Sequence, residues 1–340
     1  RQRRLGEDLS TGVARPRVDV RMRCPLRLHV RPPGYSDGMT SVRDEQAALV
    51  ALLRLRPQAM RWPELTQHVL EHGSAIAALR NLTGDQLFLT SGQEAELEAA
   101  AADLDAWHSE GLIFSTVLDE QYPARLRDIH QVPPFIFARG ELRTDDLAVS
   151  VVGSRDASEQ GIKMAPAVAE AVAGEGSSVG SGLAAGIDTA AHRAAIGAGG
   201  RPVGIIGTGI RLQYPAANRG LHAQVAERGL LLSQFWPDAP PQKHTFPMRN
   251  ATMSGYGVAT VVIQAGEHSG ARIQARMAVE HGRPVILTDL VLNATAWAKE
   301  LRGRPGVHIA GSTQDVVDVI RSLRELDHEI ASTLHALSTL

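Results

Sequence analysis

The sequence is poor in cysteine and in long apolar runs, and each shortage excludes a class of protein. Cys24 is the only cysteine among 340 residues, which excludes a disulfide framework or a cysteine-rich metal site and is typical of a reducing cytoplasm. No run of 18 or more apolar residues occurs, so we expect no membrane-spanning helix. The 13 histidines are scattered without an H-E-x-x-H pattern, so we expect no metal site.

Aromatic residues are also scarce, at 4% of the chain, whereas 32 glycines are present. This balance favours an α/β domain with tight strand-to-helix turns over an all-β sandwich. Nine arginines and four acidic residues give residues 1–38 a net charge of +5, so the remaining chain carries −7. Because this body is mildly acidic, any nucleic-acid binding has to come from a local basic pocket.

The N-terminal part of the chain contains two predicted segments. Residues 1–38 show neither helical nor strand periodicity, and we expect a disordered tail or a stretch outside the functional chain, which would begin at Met39. Residues 39–95 have the apolar spacing of short helices, which predicts a small helical domain of SAM-like type. The prolines that follow, including Pro133 and Pro134, predict an extended connector.

Residues 96–311 form the main predicted domain, in which β-rich runs alternate with helical segments. The runs are Ala148–Val152, Ser177–Val179, Pro202–Ile206, Leu230–Ser233, Val258–Gln264 and Pro284–Thr288. Because they are apolar on both faces, they predict a doubly wound, mostly parallel sheet. Residues 312–340 predict one C-terminal amphipathic helix that opens with Ser312 and Asp315 in capping-box spacing.

Turns rich in small residues follow several predicted strands. They are Gly153-Ser154-Arg155, Gly180 to Asp188, Gly207-Thr208-Gly209 followed by Arg211, and the loop Phe246 to Asn250. Turns of this kind at neighbouring strand ends, two of them near an arginine, favour an anion-binding rim. Neither a P-loop nor a complete dinucleotide fingerprint is present, which disfavours an ordinary ATPase or NAD enzyme.

Asp188 and His192 lie four residues apart on a predicted helix, so their side chains share one face. One interpretation is an aspartate-oriented base that activates Ser154 or Ser181 as a nucleophile. The other is a hydrogen-bonded pair that packs the start of the helix. We favour the second interpretation because the sequence has no G-x-S-x-G elbow.

In their order along the chain, five motifs resemble the DprA/Smf family of DNA-processing proteins. They are Val151-Val152-Gly153-Ser154-Arg155, Ser181-Gly182-Leu183-Ala184-x-Gly186-Ile187-Asp188-Thr189-Ala190-Ala191-His192, Gly207-Thr208-Gly209, Tyr214-Pro215-x-x-Asn218 and Phe246-Pro247-x-Arg249-Asn250. The resemblance covers roughly residues 118–311 and, more weakly, the helical region from residue 41. It implies an extended Rossmann-like domain that binds single-stranded DNA in a basic pocket. It also implies a cytoplasmic homodimer that protects incoming strands and loads RecA during transformation, without catalysis or cofactor.

The predicted DNA-binding residues comprise phosphate-gripping cations, backbone N–H groups that approach the strand closely, and an aromatic ring that stacks on a base or shapes its path. They are Arg155 and Arg249, supported by Arg211, Lys243 and Arg272; Gly153, Ser154, Ser181 and Gly182; and Phe246, with Asn250 beside it.

The chain departs from the family pattern at several positions. Ala185 and Ala251 stand where the family commonly has cations, and Arg272 is expected to compensate in part. Since each charge-assisted hydrogen bond contributes about 1.5–3 kcal/mol, the two alanines predict weaker phosphate contacts or a different ligand. The C-terminal winged helix of many relatives is not recognisable after the last predicted helix.

Two other function classes compete with DNA binding. One is a small-nucleotide sensor or nucleotide-cleaving enzyme on a related Rossmann-like fold. Its cleavage signature, Pro-Gly-Gly-x-Gly-Thr-x-x-Glu, is replaced here by residues 264–270, although Glu267 could act as an acid or base. The other is a scaffold that binds a protein partner through residues 41–95 or through the helix at 312–337.

Overall fold

The computed structural model describes residues 41–82 and 90–338 of the chain, so the predicted tail at 1–38 lies outside the described residues. The helices are α1 (Val42–Leu55), α2 (Trp62–His72), α3 (Ala75–Leu82), α4 (Ser91–Ser109), α5 (Glu159–Gly174), α6 (Ile187–Gly197), α7 (Arg219–Arg228), α8 (Thr245–Tyr256), α9 (Gly270–Glu280), α10 (Asp289–Ala294), α11 (Ala296–Leu301) and α12 (Thr313–Ser338). The strands are β1 (Ile113–Thr116), β2 (Phe135–Gly140), β3 (Ala148–Gly153), β4 (Ser178–Ser181), β5 (Pro202–Ile206), β6 (Leu230–Ser233), β7 (Ala259–Gln264), β8 (Val285–Thr288) and β9 (Val307–Ala310).

The nine strands in this part of the chain form one sheet in the order β1-β2-β6-β5-β4-β3-β7-β8-β9. From β6 to β9 every neighbouring pair is parallel, whereas β1 pairs with β2, and β2 with β6, in antiparallel register. The chain winds outward from β3 in both directions, which places the carboxyl ends of the parallel strands along one edge. The predicted α/β class and the doubly wound, mostly parallel sheet are confirmed.

The six predicted strands correspond to β3 through β8, with bounds that differ by at most two residues. Three strands at the two sides of the sheet, β1, β2 and β9, were not predicted. Strand β2 begins directly after the prolines of the predicted connector and pairs with β6 through backbone hydrogen bonds. Strand β9 is short and mostly half-buried, so it lacks the apolar run that marks the central strands.

The N-terminal helices pack against the antiparallel side of the sheet. Helix α1 begins with a capping box, in which Ser41 Oγ accepts from Asp44 N at 3.2 Å and Ser41 N donates to the Asp44 carboxylate at 3.0 Å. Trp62 on α2 contacts the rings of Phe135 and Trp236 edge to face, at centroid distances of 5.4 and 5.6 Å. The boundary between a helical domain and the Rossmann-like domain stays a prediction.

The C-terminal helix begins as the sequence predicts. Ser312 Oγ accepts from Asp315 N at 3.2 Å, and the Asp315 carboxylate accepts from Ser312 N at 2.9 Å. Val316 and Ile320 on α12 are buried in the same apolar cluster as Val168 on α5. The first turns of α12 therefore cover the sheet, and no helix in the described ranges is both long and apolar enough to cross a membrane.

Candidate nucleic-acid interface

A pocket opens where β3, β4 and β5 end and α8 begins. Its cavity volume is about 100 Å³. Its lining residues are Arg155, Gly182, Ala184, Ala185, Gly207, Thr208, Tyr214, Pro215, Phe246 and Arg249. This is the edge at which doubly wound sheets bind ligands. The lining contains two arginines and no acidic residue, so the pocket suits an anion.

Arg249 occupies the floor of the pocket as a buried cation. Its side chain is 6% exposed, and Nη1 donates to the carbonyl oxygen of Ile205 at 2.9 Å. The guanidinium lies against Gly182, where a β-carbon would overlap Nη1. Burial lowers the pKa of Arg249, the buried carboxylate of Asp188 raises it, and the charge of Arg155 lowers it further. The two pocket arginines therefore repel each other, and a bound anion would relieve that repulsion.

Phe246 forms an aromatic wall of the pocket, beside Arg155. The Arg155 guanidinium carbon lies 5.7 Å from the centroid of the Phe246 ring, a cation–π contact. A β-carbon on Gly207 would come within 2.9 Å of the Phe246 ring, so the glycine leaves room for the ring at the end of β5. Tyr214 contacts the same ring at a centroid distance of 5.9 Å and is 44% exposed. Exposed rings beside cations provide stacking surfaces for bases.

The turn after β4 is held rigidly by buried side chains. Leu183 has a φ of 55°, a strained value for a branched side chain, and is fully buried. Asp188 accepts hydrogen bonds from Gly182 N at 3.1 Å and from Ala184 N at 3.3 Å. Asn218 donates to the carbonyl oxygens of Leu183 and Ala184 at 2.8 and 3.3 Å. The N–H groups of Gly182 and Ala184 therefore already have partners and are not free to bind an anion.

Two polar atoms of lining residues are buried without a hydrogen-bond partner. They are Nε of Arg249 and Oγ1 of Thr208, whose side chain is 1% exposed. Unpaired buried polar groups are costly, at about 1–3 kcal/mol each. A ligand that brings acceptor oxygens into the pocket would offset this cost.

Asp188 and His192 do not form a catalytic relay. The Asp188 carboxylate accepts from backbone N–H groups of the preceding turn, and no hydrogen bond joins it to His192 among the described contacts. Ser181 Oγ donates to the carbonyl of Val151 at 2.7 Å, and Ser154 Oγ donates to a nearby backbone carbonyl at 2.9 Å. Burial lowers the pKa of His192 to about 4, so this ring is neutral. Both residues pack the start of α6, but the hydrogen-bonded pair that we favoured is not formed.

Four of the predicted site residues line the pocket together: Arg155, Gly182, Phe246 and Arg249. Gly153, Ser154 and Ser181 do not line it. The backbone N–H of Ser154 donates to the carbonyl of Gln264 at 2.7 Å, so it has a partner within the sheet. The roles of all these residues in DNA binding stay predictions.

Two of the predicted supporting cations make contacts away from the pocket lining. Arg211 forms ion pairs with Glu110 and Asp238, each at 2.5 Å, and so fastens its loop to the end of α4. Arg272 is exposed on α9, and its Nη1 donates to the carbonyl of Glu267 at 3.1 Å. Neither guanidinium faces the pocket as part of its lining.

The remaining positions singled out in the sequence lie at the protein surface, in the core or on the pocket rim. Lys243 is exposed ahead of α8, and Asn250 is buried, with Nδ2 donating to the carbonyl of Gly270 at 3.4 Å. Ala185 lies exposed on the pocket rim, whereas Ala251 is 3% exposed and does not line the pocket. Only one of the two expected cation positions is therefore at this site.

Sequence reasoning omitted Thr208, Tyr214 and Pro215 from the predicted site. All three lie in the two motifs Gly207-Thr208-Gly209 and Tyr214-Pro215-x-x-Asn218, so the motif spacing was the signal that could have identified them. Within the described residues, no group of three or more His, Cys, Asp or Glu side chains is arranged to hold a metal ion.

The sequence is similar to a known family and to several curated proteins. The family model for DNA recombination-mediator protein A matches residues 113–318. DNA processing protein DprA of Streptococcus pneumoniae is 37% identical over 207 residues, which cover 59% of this chain and 72% of that protein. DprA of Bacillus subtilis is 35% identical over 184 residues, 54% of this chain and 62% of that protein. The putative DprA of Mycobacterium tuberculosis is 31% identical over 263 residues, 73% of this chain and 67% of that protein.

Solved structures agree with the sequence matches. The X-ray structure of DprA from Streptococcus pneumoniae superposes with a TM-score of 0.64 at 29% identity, covering 82% of this chain and 98% of that one. A structure of DprA from Helicobacter pylori, described for its single-stranded DNA binding mode, has a TM-score of 0.55 at 22% identity and supports the fold alone. It covers 62% of this chain and 96% of that one. Since the family model covers more than half of the sequence, the chain belongs to the DNA recombination-mediator protein A family, the DprA/Smf family that its motifs resemble.

Proposed function

We propose that this chain binds single-stranded DNA in the pocket at the ends of β3, β4 and β5. The observation that carries the proposal is that two mutually repelling arginines, Arg155 and Arg249, line one pocket together with the Phe246 ring. Phosphate oxygens would neutralise the guanidinium groups and pair the unpartnered Nε of Arg249. The exposed face of Tyr214 would stack on a base, which is available only in an unpaired strand.

The test is fluorescence anisotropy with a labelled single-stranded oligonucleotide at several salt concentrations, with a duplex of the same sequence as competitor. We expect salt-sensitive binding that the duplex displaces poorly. Arg155→Gln should weaken the affinity about tenfold or more, because one charge-assisted hydrogen bond is lost. Arg276→Gln is the matched control, since Arg276 is exposed on α9 and pairs with Glu280. No binding by the unaltered chain at low salt would refute the proposal.

We further propose that the bound strand is passed to RecA, that the chain acts as a cytoplasmic homodimer, and that it works by binding and not by catalysis. The family membership supports a recombination-mediator role, and it does not favour the nucleotide-cleaving alternative. The measurement is the rate of RecA ATP hydrolysis on single strands covered by single-strand-binding protein. The rate should rise when the chain is added, and sedimentation should give a dimer. An unchanged rate with intact DNA binding would remove the RecA role.

A further inference from the structure

Two exposed arginines lie next to the pocket, on the surface shared by α6 and α7. Arg193 is on α6, and Arg219 is the first residue of α7. Both side chains are exposed, and neither makes a hydrogen bond or an ion pair with another described residue. We call these two residues the α6–α7 ridge.

Hydrogen bonds connect the helices that carry this ridge to the pocket wall. Ala184 lines the pocket, and its carbonyl accepts from Thr189 Oγ1 at 2.7 Å. Asn218 Nδ2 in turn donates to Thr189 Oγ1 at 2.8 Å, which joins α6 to the start of α7. Arg193 lies four residues after Thr189, about one helical turn further along the same face. Arg219 directly follows Asn218, so both arginines lie within about one helical turn of residues that these hydrogen bonds join to the wall.

The charge of the ridge does not serve the stability of its own helices. A cation at the first residue of α7 is unfavourable, because the N-terminus of a helix carries partial positive charge. Each of the two helices has one acidic residue. Asp188 on α6 is buried, and Glu227 lies in the last turn of α7, at the opposite end from Arg219. The two arginines therefore present uncompensated positive charge to a partner outside the chain.

We propose that the α6–α7 ridge binds the phosphates of the single strand where it leaves the pocket, an inference that rests on the proposed function. The cavity volume of the pocket is about 100 Å³, less than a small-ligand site usually has, so a longer strand has to continue over the surrounding surface. The rim residue next to Ala184 is the exposed Ala185, which carries no charge. The ridge supplies two cations immediately beyond that uncharged rim.

The experiment compares a trinucleotide with an oligonucleotide of about 20 residues, measured by competition against a labelled strand. The double variant Arg193→Gln/Arg219→Gln should bind the long strand about tenfold more weakly at low salt. Its slope of log affinity against log salt should fall by about 1.4, because two phosphate contacts are lost from a single strand. Its affinity for the trinucleotide should equal that of the unaltered chain. Arg228→Gln is the matched control, since Arg228 is also exposed on α7 but lies about 13 Å further along the helix axis.

Three results would overturn the inference. An unchanged affinity for the long strand would show that DNA does not contact the ridge. Equal losses for both lengths would place the effect in the pocket or in the fold, and the midpoint of thermal unfolding would separate these two causes. Intact binding of both lengths with lost stimulation of RecA would identify the ridge as a protein-binding surface. If the unaltered chain binds neither length, the proposed function itself fails, and that result differs from the other three.

Discussion

The guanidinium of Arg249 lies against the backbone of Gly182, at a spacing that leaves no room for a side chain at position 182. The glycine belongs to the turn after β4, whereas the arginine comes from the first turns of α8, so this contact joins two walls of the pocket. The position of the buried cation therefore depends on the absence of one methyl group 67 residues earlier in the sequence.

Replacing this glycine should weaken both DNA binding and the fold. In Gly182→Ala, the new methyl group would displace the Arg249 guanidinium from the carbonyl of Ile205. We expect about a tenfold loss of affinity for single-stranded DNA, with about 1–2 kcal/mol lost from the free energy of unfolding. Anisotropy and urea denaturation measure the two effects. Gly174→Ala, at a position with open space around it, should change neither the affinity nor the fold appreciably, and equal affinities for both variants would contradict the prediction.

Adding a cation at the rim should strengthen binding. Ala185 is exposed in the pocket lining, so Ala185→Lys would place an ammonium group beside the path of the phosphates. We expect higher affinity at low salt and a salt dependence steeper by about 0.7, the value for one more phosphate contact with a single strand. Salt titrations of binding provide the measurement.

The comparison variant is Ala251→Arg, which adds a cation at the other position where the motif resemblance leads us to expect one. Ala251 is 3% exposed inside α8 and does not line the pocket. The larger side chain should overpack this site and lower the free energy of unfolding by about 1–3 kcal/mol without raising affinity. A stronger gain from position 251 than from position 185 would show that the pocket is not the DNA site.

The central strands could be predicted because their apolar runs are buried on both faces, which leaves a signal in the sequence itself. The outer strands β1, β2 and β9 could not, since β1 and β9 are four residues long with polar residues in them, and β2 directly follows the prolines that predicted an extended connector. The same limit applies to the site. Arg155 and Arg249 follow from motifs, but the ion pair that fastens Arg211 uses Glu110, 101 residues earlier. The burial of Ala251 likewise depends on tertiary packing. The sequence therefore assigned both Ala185 and Ala251 to one pocket, whereas only Ala185 lines it.

Acid should destabilise the protein through a buried histidine. Burial lowers the pKa of His192 to about 4 from its usual 6.5, so the folded state binds this proton more weakly than the unfolded state does. The stability contributed by the neutral ring is complete above pH 6.5 and is lost as the pH falls from 6.5 towards 4. The total loss is roughly 3 kcal/mol.

The variant that isolates this effect is His192→Leu, which replaces the titrating ring with an apolar side chain of comparable size. Between pH 6.5 and 4, the free energy of unfolding of this variant should fall less steeply than that of the unaltered chain. The difference between the two slopes should be about 1.4 kcal/mol per pH unit. Denaturant titrations at several pH values give the slopes. The exposed His108 provides the control as His108→Leu, and identical slopes for both variants would show that His192 is not the acid-sensitive group.

A buried ionic network at the opposite edge of the sheet should control stability without affecting DNA binding. Asp146, just before β3, accepts from Arg201 Nε at 3.1 Å, from the Tyr256 hydroxyl at 2.8 Å and from Ser178 Oγ at 2.5 Å. Asp146→Ala would leave the largely buried Arg201 cation and two hydroxyl groups without this partner, so the free energy of unfolding should fall by about 3–5 kcal/mol.

The affinity of the folded Asp146→Ala protein for single-stranded DNA should stay unchanged, because the pocket lies at the carboxyl ends of the strands and this network lies at their amino ends. Tyr256→Phe, which removes one hydrogen bond and no charge, should cost less, about 1 kcal/mol. A loss of DNA affinity in a fully folded Asp146→Ala protein would mean that the two edges of the sheet are coupled.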